Sequence, residues 1–342
     1  DTFKFFQTEN LTALDSLNGG AGTDTIIIDL VDGATGTTGV DTTAVLDVGL
    51  TNIEKVEILD RATNDGGANA TTITTATVTV NAGFTGTSLT IDGSTLDAHP
   101  TTLTSGERLT ASAANNLATE VVTILGGAFS DSLTGGAGAD TLTGNAGADT
   151  LTGGAGNDVI TGGAGADSLY GGAGIDNISA GAGNDTIAVT TLTDFKTTGG
   201  AETVDGGAGT DTLQFAEATT LTITAPEMEA ISGIEIIDAS NTTGANQTTI
   251  TLGNGFFTSN GSSSITIDGN DTTDNAADHY IDLSSVTNGA VIFYPNNAQA
   301  GAVDSLYGGS GDDTLILTGT TANTSLGTAD VFNGNGGTDT LS

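Results

Sequence analysis

Large aliphatic residues recur along this chain at a spacing with little helical character. Over residues 126–188 they stand nine apart, at Leu133, Leu142, Leu151, Ile160, Leu169, Ile178 and Ile187, and glycine-rich stretches separate them. Each aliphatic with its flanking residues predicts a short half-buried strand, and each glycine cluster predicts a turn. Elsewhere, residues 72–80 and Ile265-Thr266-Ile267 alternate β-branched and small residues, which is again the period of a strand. The best helical candidate is Pro226-Glu227-Met228-Glu229-Ala230-Ile231, enough for one turn. The pattern predicts an all-β chain.

The polar positions sharpen this. Residues 126–188 are seven nonapeptides of the form G-G-x-G-x-D-x-U-x, with U a large aliphatic. The acid stands two positions before each aliphatic, at Asp131, Asp140, Asp149, Asp158, Asp167, Asp176 and Asp185. Departures are few: Phe129, Asn145 and Ala180 each replace one glycine. This nonapeptide is the calcium-binding signature of RTX proteins, and the chain resembles that family. Single copies end at Asp24, Asp211, Asp313 and Asp339, each with an acid nine positions earlier, at Asp15, Glu202, Asp304 and Asp330. The intervals from Asp185 to Glu202 and from Asp313 to Asp330 are equal and nearly twice the repeat, so an insertion is expected to bulge from the roll at each place.

Between these runs lie two related segments. One holds Asn52-Ile53-Glu54-Lys55-Val56-Glu57-Ile58, the other Ser232-Gly233-Ile234-Glu235-Ile236-Ile237, and Leu89-Thr90-Ile91-Asp92-Gly93 matches Ile265-Thr266-Ile267-Asp268-Gly269. The expected organisation is a partial roll (1–30), a β-rich module (31–125), and the main roll (126–215, with an insertion at 189–201). A second module (216–303) and a further roll (304–342, with an insertion at 318–329) complete it. The expected fold is parallel β-roll or β-solenoid segments with Ca²⁺-binding turns, alternating with β-rich modules.

Charge narrows the function. The 342 residues carry 42 acids against five cations, Lys4, Lys55, Arg61, Arg108 and Lys196, for a formal charge of −37. No basic patch can be assembled from so few cations, so nucleic acid and anionic lipid are excluded as partners. High acidity with few aromatics is also a signature of disorder, but the strict spacing of the acids argues against it. Cysteine is absent, so neither disulfides nor thiolate metal sites stabilise the fold. No apolar run is long enough to span a bilayer, so no direct membrane insertion is expected.

Two nonapeptides make one coil, so alternate turns stack on one edge at about the 4.8 Å spacing of neighbouring strands. Stacked aspartates at that distance repel by roughly 1 kcal/mol in bulk water and by more at lower dielectric. A hard cation held by carboxylates and turn carbonyls removes the repulsion and couples binding to folding. The pairs Asp131 with Asp149, Asp140 with Asp158, Asp149 with Asp167, Asp158 with Asp176, and Asp167 with Asp185 are the first predicted sites. Asp176 with Glu202, Asp185 with Asp211, Asp304 with Asp330, Asp313 with Asp339, and Asp1 with Asp24 bring the total to about ten Ca²⁺. Asp15 belongs to the same acid series. Gly135, Gly138, Gly153, Gly156, Gly162, Gly165, Gly171 and Gly174 are expected to turn carbonyls inward as further ligands.

Other candidates are weaker. Asp268, Asp271, Asp274, Asp278 and Asp282 form an acid cluster without the EF-hand pattern, so a solvated loop is favoured over another Ca²⁺ site. His99 and His279 occupy equivalent places in the two modules and read as packing or surface residues. Glu54 with Glu57, and Glu227 with Glu229, have no aromatic sugar platform nearby and read as surface. H-E-x-x-H and G-x-S-x-G are both absent, and no enzyme is expected.

The resemblance, extended to the modules, is to RTX surface-layer proteins and large adhesins of Gram-negative bacteria. It implies type I secretion, an extracellular or cell-surface location, and folding outside the cell where calcium is abundant. Two functions follow: a self-assembling surface-layer or filament subunit, or the repeat stalk of a biofilm adhesin. The expected partner is the protein itself, in a Ca²⁺-dependent lattice or filament, with any surface anchor in regions outside this sequence. Asp1-Thr2-Phe3 and Asp339-Thr340-Leu341 both read as unfinished roll ends, which predicts edge-to-edge association in calcium.

Overall fold

The computed structural model describes residues 1–6, 17–30, 42–46, 50–60, 75–80, 88–94, 108–113, 120–189, 202–215, 221–224, 228, 230–239, 248–260, 264–269, 279–287, 289–294, 304–315 and 331–342. The chain divides into two units, Asp1–Gly181 and Ala182–Ser342.

In the first unit one sheet runs through Thr2–Phe6, Thr25–Leu30, Lys55–Asp60, Ser88–Asp92, Val121–Leu125, Thr141–Ala146, Val159–Ala164 and Asn177–Ala182, the last of which reaches the boundary. A second runs through Thr42–Leu46, Thr75–Val80, Arg108–Ser112, Ser132–Gly136, Thr150–Ala155 and Ser168–Ala173. Leu17–Asn18 pairs with Leu50–Thr51 as a small third sheet. Successive coils pair in parallel, the arrangement of a β-roll.

Register gives the length of each coil. In the nonapeptide run Thr150 pairs with Ser168 and Thr141 with Val159, so one coil is two repeats. In the module before it Thr25 pairs with Lys55 and Lys55 with Thr90, and each of these coils is more than half as long again as a coil of the roll. Described strands of the first module therefore belong to the same sheets as the roll. They differ in how much chain separates consecutive strands.

Along each strand, residues alternate between the interior and solvent. Thr150–Ala155 and Val159–Ala164 both bury the aliphatic at their second position. Leu142, Leu151, Ile160 and Leu169 are fully buried, Leu142 stacking on Ile160 and Leu151 on Leu169 across coils. Each such burial stabilises by about 1.5–3 kcal/mol. The module's interior is filled by Ile53, Val56, Ile58, Leu89 and Ile91, and Ile26 and Ile28 of the partial roll are buried in the coil before it.

The second unit has the same logic. One sheet runs Thr186–Val189, Thr212–Phe215, Ile236–Asp238, Ser264–Asp268, Ala290–Tyr294, Thr314–Leu315, Thr340–Leu341. Another runs Leu221–Ile223, Thr248–Thr251, His279–Asp282, Ser305–Tyr307, Val331–Asn333, and Thr203–Ala208 pairs with Ile231–Ser232. Thr186 pairs with Thr212 and Thr314 with Thr340, the same separation in both places and longer than two nonapeptides. The added chain is thus accommodated without disturbing the register. The interiors of the two expected insertions lie outside the described residues.

Helical structure is scarce, and its longest described piece lies where the sequence pattern does not point. Half of the 226–231 candidate lies outside the described residues; of the rest, Met228 stands in a 3₁₀ turn and Ile231 begins the strand Ile231–Ser232. A helix forms instead at Asn254–Asn260. Phe256 and Phe257 are buried there, edge to face at 5.4 Å, and the Phe257 ring lies against the α-carbon of Gly289. The Asn254 side chain accepts the Thr287 backbone N–H at 2.8 Å, which fastens the helix start to the next coil.

Candidate metal centre

Each repeat acid stands immediately before a strand, so strand register dictates acid register. Thr150 pairs with Ser168, and the Asn177 N–H donates to the Asp158 carbonyl, so the acids stack in a ladder. The Asp131 backbone N–H donates to Asp149 Oδ1 at 2.7 Å, and that of Asp140 to Asp158 Oδ1 at 2.7 Å. Asp149 donates to Asp167 Oδ1 and Asp158 to Asp176 Oδ1, both at 2.8 Å. In return, the N–H after each later acid donates to the earlier acid's carbonyl, as Thr150 does to Asp131 at 2.9 Å. One oxygen of each carboxylate is therefore engaged by the backbone of the coil before it.

Asp131 also has its second oxygen engaged, by the Gly127 N–H at 2.6 Å, but in other turns the second oxygen is left over. Asp24, Asp140, Asp149, Asp158, Asp211 and Asp313 each hold a buried Oδ2 without a hydrogen-bond partner. An unmet buried carboxylate oxygen is strongly unfavourable, and a repeated series of them calls for a counter-charge. Their surroundings are rich in oxygen. A β-carbon on Gly135 would lie 2.7 Å from both Asp140 Oδ2 and the Gly153 carbonyl oxygen of the next coil. A β-carbon on Gly126 would meet Asp131 Oδ2 at 2.5 Å and the Gly144 carbonyl at 2.6 Å. Gly153, Gly162 and Gly171 border their own repeats' aspartates in the same way, and Gly153 and Gly162 also border the next coil's carbonyl. At each of these glycines an added β-carbon would crowd the gap where a carboxylate and a carbonyl converge.

The fourth position of the repeat faces the coil before it. Gly156 has φ +130 and a β-carbon on it would strike the Gly138 carbonyl; Gly165 and Gly174 repeat the arrangement, and Gly138 lies under the Glu120 carbonyl. Asn145, in place of a second glycine, keeps φ at 76° and donates its amide to the Gly126 carbonyl at 2.7 Å. Asn335 stands likewise at φ 60°, with its amide on the Gly308 carbonyl. Asparagine tolerates this backbone region, so neither turn is weakened by losing its glycine.

Burial raises the carboxyl pKa values. It pushes Asp149 and Asp158 up to about 7 despite the hydrogen bonds from Asp131 and Asp140, and the stacked carboxylates add to the rise. Asp131, Asp211 and Asp313 are pushed up to about 6, and Asp140 upward, again chiefly by burial. Among the described residues no three His, Cys, Asp or Glu side chains gather as a metal-binding group. A cation here would rest on paired carboxylates and backbone carbonyls, an all-oxygen set suited to Ca²⁺.

The RTX calcium-binding nonapeptide repeat family (4 copies) matches residues 14–27, 125–160, 161–188, 197–214 and 301–319. These turns are RTX calcium-binding repeats. No curated protein matches the chain, and no solved structure does.

The single RTX copies continue the pattern. Asp185 donates its N–H to Asp211 Oδ1 at 2.8 Å, and Asp313 to Asp339 Oδ1 at 3.0 Å. Thr25 donates to the Asp1 carbonyl at 2.9 Å, which sets Asp1 beside Asp24. Glu202 and Asp304 are buried, and the Asp304 carbonyl accepts the Val331 N–H at 2.9 Å. Asp15 and Asp330 lie outside the described residues, as do His99, Asp271, Asp274 and Asp278. Asp268 and Asp282 end module strands, and Asp282 caps its own turn through the Ser284 N–H at 2.9 Å. The pairs Asp167 with Asp185 and Asp176 with Glu202 span the two units and stay expectations.

One reading is corrected. Glu54 is not simply a surface acid: it accepts the Asp24 backbone N–H at 2.7 Å, and Glu235 accepts that of Asp211 at 2.9 Å. The signal was in the sequence, as the matching Asn52-Ile53-Glu54 and Gly233-Ile234-Glu235. Their place relative to Asp24 and Asp211 became visible only with the register.

Proposed function

We propose that this chain is a non-catalytic, calcium-dependent structural protein of the cell exterior that folds on binding Ca²⁺ and assembles with copies of itself into a surface layer or filament. The observation that carries it is the series of buried Oδ2 atoms at Asp140, Asp149 and Asp158, each in a stacked pair and without a hydrogen-bond partner among the described residues. The proposed ligands are the stacked aspartates, with Glu202 and the glycine-turn carbonyls, for about ten ions in all. Secretion through a type I system fits this chemistry, because a chain at −37 stays unfolded until it meets abundant calcium.

Self-association rests on charge. Ten bound Ca²⁺ would reduce −37 to about −17, and so weaken the repulsion that keeps copies apart. The test is electron microscopy and light scattering of the purified chain across a Ca²⁺ titration. Ordered sheets or filaments that dissolve in chelator are expected. Extended particles that stay monomeric at saturating calcium would transfer the reading to an adhesin stalk.

A further inference from the structure

We propose that Glu54 and Glu235 each close a further calcium site, with Asp24 and Asp211 respectively, of a kind distinct from the nonapeptide turns. This rests on the calcium reading above.

The register defines a shortened turn. Asn18 pairs with Thr51 and Thr25 with Lys55, so Gly19 lies against Asn52 and Asp24 against Glu54. The first turn takes five steps from glycine to acid, the second only two. In the second unit Asp205 pairs with Ser232 and Thr212 with Ile236, which sets Gly206 against Gly233 and Asp211 against Glu235. Again five steps face two. The same length of chain is missing in both places, and in both the acid is the one with an extra methylene.

That methylene spans the shortened turn. Glu54 Oε2 takes the Asp24 N–H at 2.7 Å and Glu235 Oε2 the Asp211 N–H at 2.9 Å, the bond that an aspartate makes at 2.7–2.8 Å in the long roll. Positive φ at Asn52 (55°) and Gly233 (64°) turns the chain in the remaining space. The Asn52 carbonyl lies over Gly19 and the Gly233 carbonyl over Gly206, as the Gly153 carbonyl lies over Gly135.

A hydrogen-bonding role for the glutamates leaves one thing unexplained. Asp24 and Asp211 are 0% exposed, and each still has a buried Oδ2 without a partner. A β-carbon on Gly206 would lie 2.9 Å from Asp211 Oδ2, beside the Gly233 carbonyl, so the orphan oxygen faces the gap that Glu235 closes. Two carboxylates and a carbonyl there suit a hard divalent cation. The shorter turn presents fewer carbonyls, so these sites should fill after the full turns and release their ions first.

Calorimetric Ca²⁺ titration of the full chain tests this with Glu54→Gln and Glu235→Gln, which keep an acceptor for the aspartate N–H but remove the charge. Each should bind about one fewer ion, the double variant about two fewer, and Glu57→Gln the full number. Unchanged stoichiometry in the double variant, with calcium still bound by the parent, would overturn the proposal and leave the roll reading intact. Loss of several ions together with the β signal would also overturn it, since the glutamates would then act on folding. A parent chain that binds no calcium would sink both readings.

Discussion

Asp92 and Asp149 stand in the same unit, each at an edge of a parallel coil, yet they are answered differently. Asp92 ends a module strand and meets Lys55 of the neighbouring coil at 2.9 Å, on a half-buried face. Asp149 is buried beside other aspartates, and its Oδ2 has no hydrogen-bond partner among the described residues. The long module coils enclose Ile53, Val56, Ile58, Leu89 and Ile91, whereas a roll coil, only two nonapeptides around, encloses two aliphatics. One stacking geometry is thus answered in two ways: by apolar burial with internal counter-charge in the module, and in the roll by buried carboxylates that, on the proposed function, an external cation holds.

The sharpest way to break this contrast is to remove calcium. In excess chelator residues 126–181 should lose protection from proteolysis while the strands Lys55–Asp60 and Ser88–Asp92 keep theirs, and far-UV circular dichroism should fall only in part. Unchanged β content in chelator would end the metal-dependent account of the roll. Mg²⁺ should not restore the signal, because its strict octahedral geometry and tightly held water fit turn carbonyls poorly.

Asp158→Ala comes next in size. Asp158 Oδ1 accepts from the Asp140 N–H while its Oδ2 lies beside Gly153 and the Gly171 carbonyl, so it borders two gaps. About two ions should be lost by calorimetry, against about one for Asp339→Ala. Equal losses would mean that carboxylates are not shared between gaps.

Leu151→Ala and Ile91→Ala probe the other half of the comparison. Both side chains are fully buried, and each truncation should cost about 2–5 kcal/mol in saturating calcium. In chelator only Ile91→Ala should still be measurable, because the coil around Leu151 is already unfolded.

Acid should partly replace calcium. Burial holds Asp149 and Asp158 at about 7 in the folded roll, against an ordinary value of 3.8, so between those values the folded state binds more protons than the unfolded one. Metal-free stability is then greatest below about 3.8 and falls as pH rises toward about 7. A metal-free chain should gain β signal when taken from pH 8 to about 5, while its Ca²⁺ affinity weakens over the same range. The smallest effect is expected at Val159→Thr, on the solvent face of its strand, within about 0.5 kcal/mol by thermal unfolding.

The roll was legible because one spacing carries everything: the single repeat from Asp149 to Asp158 fixes turn, strand and stacked acid together. The modules were legible only as strands. Nothing in Leu89-Thr90-Ile91 indicates that it pairs with Val122-Thr123-Ile124, since a long coil of irregular length leaves no period to read. The helix Asn254–Asn260 was missed because its two phenylalanines are adjacent and make no helical stripe; burial against Gly289, a tertiary contact, decides it. Glu54 was misread for a related reason. Its role is set by a distant partner across an irregular coil, whereas each roll acid finds its partner two repeats away.

The bond from each aspartate N–H to the carboxylate of the following coil also gives the stack a polarity. A coil after Asp158 answers the Asp158 N–H with a carboxylate, while a coil before Asp149 answers the Thr150 N–H with a backbone carbonyl and gives an N–H to the Asp149 carboxylate. Shortening the ladder from its later end leaves an aspartate N–H without its carboxylate; shortening it from its earlier end leaves a carboxylate without its donor and the next residue's N–H without its carbonyl. The two ends of such a ladder therefore present different faces, a bare aspartate N–H at one and a bare aspartate carboxylate at the other.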